Sequence, residues 1–192
     1  MQINKKRIAV YCGSSNRVDQ SYLQLAFEVG RQLALKQIGV VYGGGNVGLM
    51  KSVADGALSE NGEVIGVIPK SLETLELAHP NLTKIFVTQG MHERKALMAQ
   101  LANGFIGLPG GYGTMEEIME VITWNQINVH AKPVGLLNTK GFYNGIVQWV
   151  DHASREGFIN RAHRQLLCCE EHLEDLLQNM ERTKFVDLSS QL

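Results

Sequence analysis

The chain is poor in residues that mark special environments. Its 192 residues include only 4 prolines, 3 cysteines and 2 tryptophans. So few prolines exclude a Pro-rich disordered chain, and no collagen period is present. Cys12 stands alone, and Cys168 and Cys169 are adjacent. Without a Cys-x-x-Cys pair, neither a disulfide framework nor a zinc site is expected. A reducing cytoplasm is the expected compartment. Charge of one sign is also missing: 18 basic and 19 acidic residues leave a net −1. That balance provides no basic face for nucleic acid and no polybasic run for an anionic membrane. No run of 18 apolar residues occurs, so no transmembrane helix is expected. The apolar stretch Ile8–Cys12 is too short for the core of most signal peptides and reads better as a first strand. The six histidines lack metal spacing such as His-Glu-x-x-His, so no metal is expected.

What the chain has is glycine, 20 residues of 192, against a usual share of roughly 7%. Hydrophobic residues make up 44% and charged residues 19%, the balance of a compact globular chain. The length fits one domain over 1–192 with a short C-terminal tail.

Strand-like and helix-like patterns alternate along the sequence. Strands are expected at Arg7–Gly13, Gly39–Tyr42, Glu63–Pro69, Lys84–Gln89, Phe105–Leu108 and Pro133–Leu137. Helices are expected at Asp19–Gln37, with Leu23, Phe27, Gly30 and Ala34 on one face, and from Gly48 to Glu60. Further helices are expected at Met91–Ala102, from Thr114 to Ile127, at Gly141–Glu156 and at Glu170–Arg182. Asn61-Gly62 and Asn103-Gly104 read as C-terminal caps, and Lys70–Thr83 as irregular. Near-continuous apolar strands alternating with helices predict an α/β fold. Its form is a Rossmann-like three-layer sandwich with a doubly wound, mainly parallel sheet. Such sheets bind ligands beyond the carboxyl ends of their strands, at the topological switch point. Three loops fall at such ends: Gly13–Ser15, Gly43–Gly48 and Pro109–Thr114. The hydroxyl of Ser14 could donate to a ligand there.

Gly43-Gly44-Gly45-Asn46-Val47-Gly48 matches G-x-G-x-x-G, which lets backbone N–H groups approach an anion at a helix start. It follows the second strand, and the next strand ends in Pro69-Lys70 with no acid for a ribose hydroxyl. A nicotinamide site is therefore disfavoured. A phosphate or ribose contact through Gly44 and Gly45, or a purely structural turn, remains open. Pro109-Gly110-Gly111-Tyr112-Gly113-Thr114-Met115-Glu116-Glu117 is more informative. Its bare backbone and the helix dipole invite an anionic group, such as a phosphate. Thr114-x-x-Glu117 also reads as a capping box, so Glu117 is either a cap or a carboxylate beside a bound phosphate ester. Glu116 reads as solvated. Arg94 and Lys95 could clamp an anion, or form a solvated face.

Together these motifs resemble the LOG (Lonely Guy) family of cytokinin riboside 5′-monophosphate phosphoribohydrolases, often labelled possible lysine decarboxylases. Its hallmark P-G-G-x-G-T-x-x-E is matched from Pro109 to Glu117, and M-x-x-R-K from Met91 to Lys95. Tyr11–Ser15, Tyr42–Gly45, Gly48–Met50 and Val121–Trp124 also look like the family. The likeness extends to about Ile159. The resemblance implies that Arg94 and Glu117 form the catalytic pair. It implies substrate contacts from Glu76, Lys95, Gly111, Tyr112, Gly113, Thr114, Met115, Glu116 and Thr123. It implies no metal or redox cofactor, and a homodimer with active sites near the subunit interface. The implied reaction is hydrolysis of the N-glycosidic bond of a nucleoside 5′-monophosphate, AMP or a cytokinin riboside monophosphate, to free base and ribose 5-phosphate. No pyridoxal-binding lysine is recognisable. The competing expectation is a non-catalytic nucleotide- or cofactor-binding module, such as a molybdenum-cofactor carrier. Such a module needs the cradle without the carboxylate.

Overall fold

The computed structural model describes residues 6–73 and 78–185. Among these, seven strands form one sheet: β1 (Arg7–Tyr11), β2 (Gly39–Tyr42), β3 (Val64–Pro69), β4 (Lys84–Thr88), β5 (Gly104–Gly107), β6 (Val134–Leu137) and β7 (Leu167–Glu170). Their order is β4-β3-β2-β1-β5-β6-β7. Every neighbouring pair is parallel, so the sheet is wholly rather than mainly parallel. The order reverses between β1 and β5, whose Val10 and Ile106 are register partners.

The connecting helices are α1 (Gln20–Leu35), α2 (Gly48–Ser59), α3 (Lys70–Glu73), α4 (Met91–Leu101), α5 (Tyr112–Gln126), α6 (Asn144–Arg155), α7 (Arg161–Arg164) and α8 (Leu173–Glu181). Alternation along the strands divides the core in two. Ile8 and Val10 of β1 pack with α1, α2 and α8. Ala9 and Tyr11 pack with α4, α5 and α6 on the other face. Successive strand side chains point to opposite faces, so one five-residue strand serves two apolar layers. This is the doubly wound arrangement that the alternating pattern predicts.

Several local expectations differ. The buried face of α1 is Ala26, Val29, Gly30 and Leu33, about one residue round from the expected stripe, and Phe27 is partly exposed. The strand β7 was not anticipated. Four residues, Leu-Cys-Cys-Glu, are too few for a period to show, and the next helix starts at Leu173 rather than Glu170. The stretch expected to be irregular contains α3 and a bridge from Ala78 to Gly45. The sixth helix starts at Asn144, after a short 3-10 turn at Thr139–Gly141.

The two Asn-Gly pairs have different outcomes. Asn61 is left-handed (φ 55), and Gly62 N–H donates to Ala57 O at 2.9 Å, which is a Schellman cap. Asn103-Gly104 forms no such cap. Asn103 instead exchanges two hydrogen bonds with the Arg7 backbone, and Gly104 already belongs to β5. Pairing with β1 claims these residues as soon as α4 ends.

The closest helix contact is between α1 and α2. A Cβ on Gly56 would lie 1.9 Å from Phe27 O, and one on Gly30 would lie 2.0 Å from Val53 O. Alanine gains up to about 1 kcal/mol in helix propensity, but backbone oxygens cannot move aside without separating the helices. Gly56→Ala is expected to destabilise by about 2–3 kcal/mol, lowering Tm by about 5–10 °C. A thermal melt followed by circular dichroism checks it. A Tm at or above that of the parent chain would contradict this contact.

Candidate active site

The loops after β1, β2 and β5 meet above the switch point. Gly13 N–H donates to Pro109 O at 3.1 Å, and Gly13 O accepts from Leu49 N–H at 3.0 Å. One residue thus ties all three loops. At Gly110 a Cβ would sit 2.1 Å from Thr114 Oγ1 and 2.9 Å from Gly13 N, so only glycine fits this crossing.

Two helices start here, and they differ as anion sites. The start of α2 is occupied by the protein itself. Gly48 N–H donates to Asn16 Oδ1 at 2.8 Å, and the Leu49 N–H is taken by Gly13 O. Gly44 (φ 78) packs on Ile68 of β3, and its carbonyl accepts from His79 N–H. The Gly43–Gly48 loop is therefore a structural crossing among the described residues. The start of α5 is different. Gly111 is its N-cap, with no side-chain cap bond, and a Cβ on Gly111 or Gly113 would meet nothing within 4 Å. The first N–H groups of a helix have no intrahelical partner, and here they border a cavity of 330 Å³. That volume is at the lower end for small-ligand sites, roughly 300–1,000 Å³.

Beneath the α5 start, Arg94 Nη1 lies 3.1 Å from Glu117 Oε1, and both side chains are about nine-tenths buried. The Arg94 Nε–H donates to Val67 O at 3.1 Å, which fixes the guanidinium over the end of β3. Gly43 makes room for it, since a Cβ there would be 2.3 Å from Nη2. The ion pair is close without being a hydrogen bond, and Glu117 Oε1 is left without a hydrogen-bond partner. Burial therefore prevails over the nearby positive charge, and the Glu117 carboxyl is pushed up to about 7, with Arg94 opposing the shift. An ionisable oxygen lacking a partner beside a cavity requires a donor.

The structure brings together most of the expected site residues. Arg94, Glu116 and Glu117 line the cavity with Gly13 and Ser14. So do Gly111, Tyr112, Gly113 and Thr114. Five others lie elsewhere. Gly44 and Gly45 are in the structural crossing, and Met115 packs on the core. Thr123 is exposed, at a separate apolar pocket beside Trp149 and Ile159. Lys95 is buried behind the site. Glu76 lies outside the described residues. Cys12, Met50, Leu72 and Met91 also line the cavity. Apolar residues in strand and helix patterns, such as Cys12, Met50 and Met91, read as core, and Leu72 falls in the stretch expected to be irregular.

Two local readings are corrected. Thr114 is not an N-cap, because α5 already begins at Tyr112, so Thr114–Glu117 forms no capping box. Arg94 and Lys95 do not form a solvated face, since both are buried. Glu116 is exposed as expected, but its carboxylate pairs with Lys95. Among the described residues no cluster of His, Cys, Asp and Glu could hold a metal ion, and no helix is long and apolar enough to cross a membrane.

The family model described as "Possible lysine decarboxylase" matches residues 50–180. A cytokinin riboside 5′-monophosphate phosphoribohydrolase of Oryza sativa subsp. japonica is 46% identical over 176 residues, covering 92% of this chain and 73% of that protein. One from Arabidopsis thaliana is 42% identical over 189 residues, covering 97% and 87%. Among solved structures, the molybdenum cofactor binding protein of Rippkaea orientalis superposes with a TM-score of 0.69 at 24% identity, covering 94% of this chain and 98% of that one. The Chlamydomonas reinhardtii Moco carrier protein does so with 0.69 at 20% identity, covering 98% and 99%. These two share the fold.

Glu117 makes the stability pH-dependent. Its folded-state proton affinity exceeds the unfolded value, so the folded chain binds more protons between about pH 4.5 and 7. Stability is expected to fall as pH rises through that window, by on the order of 3 kcal/mol. Glu117→Gln removes this slope. Paired denaturant titrations of both proteins between pH 4.5 and 8 measure the difference. Parallel stability curves would contradict a raised Glu117.

Proposed function

The chain belongs to the LOG family, whose model is described as possible lysine decarboxylase and whose curated relatives are cytokinin riboside 5′-monophosphate phosphoribohydrolases, and on that premise we propose that it hydrolyses nucleoside 5′-monophosphates. The products are a free base and ribose 5-phosphate. The observation that carries the reading is one cavity holding both a helix start without a side-chain cap and the buried Arg94–Glu117 pair. A purely binding module needs only the first. A decarboxylase with a lysine Schiff base finds no support, since among the described residues no lysine lines the cavity.

The 5′-phosphate rests on the backbone of Gly111, Tyr112, Gly113 and Thr114, where the helix dipole favours negative charge. Cleavage of the N-glycosidic bond develops oxocarbenium character on the ribose. The Glu117 carboxylate stabilises that charge and orients or deprotonates the attacking water through its unpartnered oxygen. Arg94 positions the ribose and phosphate and limits how tightly Glu117 holds its proton. Cys12 and Ser14 close the wall of the cavity beneath the substrate.

A homodimer is part of the same proposal. Trp149 of α6 and, beyond the ends of α5 and α6, Ile127, Val129 and Phe158 are exposed apolar side chains. Trp149 also borders an apolar pocket with Met119, Ile122 and Ile159, and contiguous exposed apolar surface marks association sites. The three free cysteines support the reducing cytoplasm as the site of action.

The test is chromatography for free base after incubation with AMP or isopentenyladenosine monophosphate. Glu117→Gln and Arg94→Ala are each expected to lose roughly 10²–10⁴-fold in turnover. Gly43→Ala should lose roughly tenfold or more by displacing the guanidinium, while its Tm stays within a few degrees. No base from any monophosphate, or near-normal release by Glu117→Gln, would overturn the reading. In the parent chain, kcat/KM should rise about tenfold per pH unit below pH 7 and level above it, because the ionised carboxylate is the active form. For the dimer, Trp149→Glu is expected to shift the sedimentation coefficient to that of a monomer. A parent chain already monomeric at micromolar concentration would refute it.

A further inference from the structure

Adjacent helical residues point about 100° apart, so Arg94 and Lys95 cannot address one ligand from the same direction. Arg94 turns to the cavity. Lys95 turns the other way, toward α5, and is absent from the cavity lining. Its ammonium pairs with Glu116 and lies 3.0 Å from Glu120 Oε1, and its side chain is only 8% exposed. Glu116 and Glu120 are four residues apart, one helical turn, so the ammonium bridges successive turns of α5 on the flank of Glu117. Two of its three donors are thereby taken by carboxylates.

We propose that Lys95 and Glu120 are positioning residues for the Arg94–Glu117 pair, and that Lys95 is not a ligand of the substrate phosphate. This rests on the catalytic reading of Glu117 given above. The bridge ties α4 to α5, so the guanidinium from one helix and the carboxylate from the other keep their spacing. It also sets the local balance of charge. The groups facing Glu117 are Arg94 and Lys95 from α4, Glu116 and Glu120 from α5, and Tyr11 and Cys12 from β1. Burial keeps Tyr11 and Cys12 protonated. Of the charged groups, Arg94 and then Lys95 oppose proton uptake by Glu117, while Glu116 and Glu120 favour it.

The two members of the bridge therefore have opposite signatures. Removing the charge of Glu120 should lower the pH at which Glu117 ionises, and removing that of Lys95 should raise it. A merely structural tie moves neither, or moves both the same way.

The experiment follows AMP hydrolysis from pH 5 to 9 in the full chain, Glu120→Gln, Lys95→Met and Lys95→Arg, with inorganic phosphate as a competing anion. In Glu120→Gln the acid limb of kcat/KM is expected about one pH unit lower, and in Lys95→Met about one unit higher. Lys95→Met should also lose roughly tenfold in kcat at pH 7. KM and the phosphate inhibition constant should stay within about threefold in both, and Lys95→Arg should recover most of the activity. Glu120 is partly exposed and Gln preserves its shape, so Glu120→Gln carries the test even if Lys95→Met does not fold. A carbon-13 NMR titration of the glutamate carboxyls reads the same shift without turnover. A roughly tenfold rise in KM and in the phosphate constant for Lys95→Met, with the acid limb unmoved, would make Lys95 a phosphate ligand and overturn the inference. So would an unmoved limb in Glu120→Gln. Glu117→Gln separates the two levels. Where it is inactive and the limbs stay fixed, only this inference fails. Where it turns over normally, the catalytic reading fails first.

Discussion

A carboxylate and a guanidinium can be buried together only if the backbone around them is shaped to hold them, and Arg94 with Glu117 imposes that demand here. The guanidinium is anchored on Val67 O at the end of β3 and fits against the bare Cα of Gly43 at the end of β2. The carboxylate comes from the second turn of α5, which follows β5. One ion pair therefore joins three strand ends and two helices. Its two sides differ in how well they are satisfied. Arg94 has a backbone acceptor, whereas one oxygen of Glu117 has none. Burial raises the carboxyl's proton affinity toward neutrality, against the opposing charge of Arg94. The unpartnered oxygen leaves an acceptor at the cavity wall. The site holds an unfavourable arrangement that the packing of the sheet sustains, as expected where function competes with stability.

The sheet order explains why the cavity opens where it does. Between β1 and β5 the chain changes direction across the sheet, so the following helices lie on opposite faces and their loops diverge. Gly13 holds that divergence open by bonding Pro109 on one side and Leu49 on the other. Both α2 and α5 point their first N–H groups into this region. At the start of α2 the N–H groups of Gly48 and Leu49 are engaged by Asn16 and Gly13, whereas Gly111, the N-cap of α5, makes no side-chain cap bond and borders the cavity. Two similar glycine-rich loops thus do different work, one as a crossing and the other as a cradle.

Much of this was legible in the residues. Six of the seven strands are short apolar runs bounded by glycine, proline or polar residues. The alternation with helices is enough to give a doubly wound parallel sheet. The loop from Pro109 to Glu117 and the pair Arg94 and Lys95 were recognisable as chemistry because their spacing matches a family. Other features were not legible. β7 is too short for a period. Thr114 and Glu117 have capping-box spacing, yet α5 begins two residues before Thr114, since the preceding glycines adopt the turn without a side-chain cap. The importance of Gly43 lies in its closeness to Arg94, which is far from it along the chain. Nothing local distinguishes it from Gly44, whose positive φ is a matter of turn geometry.

The amino-acid sequence by itself determined the fold class, the places where loops meet helix starts, and the residue types available for an anion and a carbocation. These follow from local periodicity, glycine's missing side chain and the helix dipole, each readable within a few residues. Only the tertiary structure decided which of two glycine loops stays open, which of two adjacent cations faces the cavity, and that Glu117 is buried enough to hold its proton near neutrality. Those outcomes depend on burial and on distances between residues far apart in the chain. Proton affinity and helix-end satisfaction respond to what surrounds a group in space, not to its neighbours in sequence.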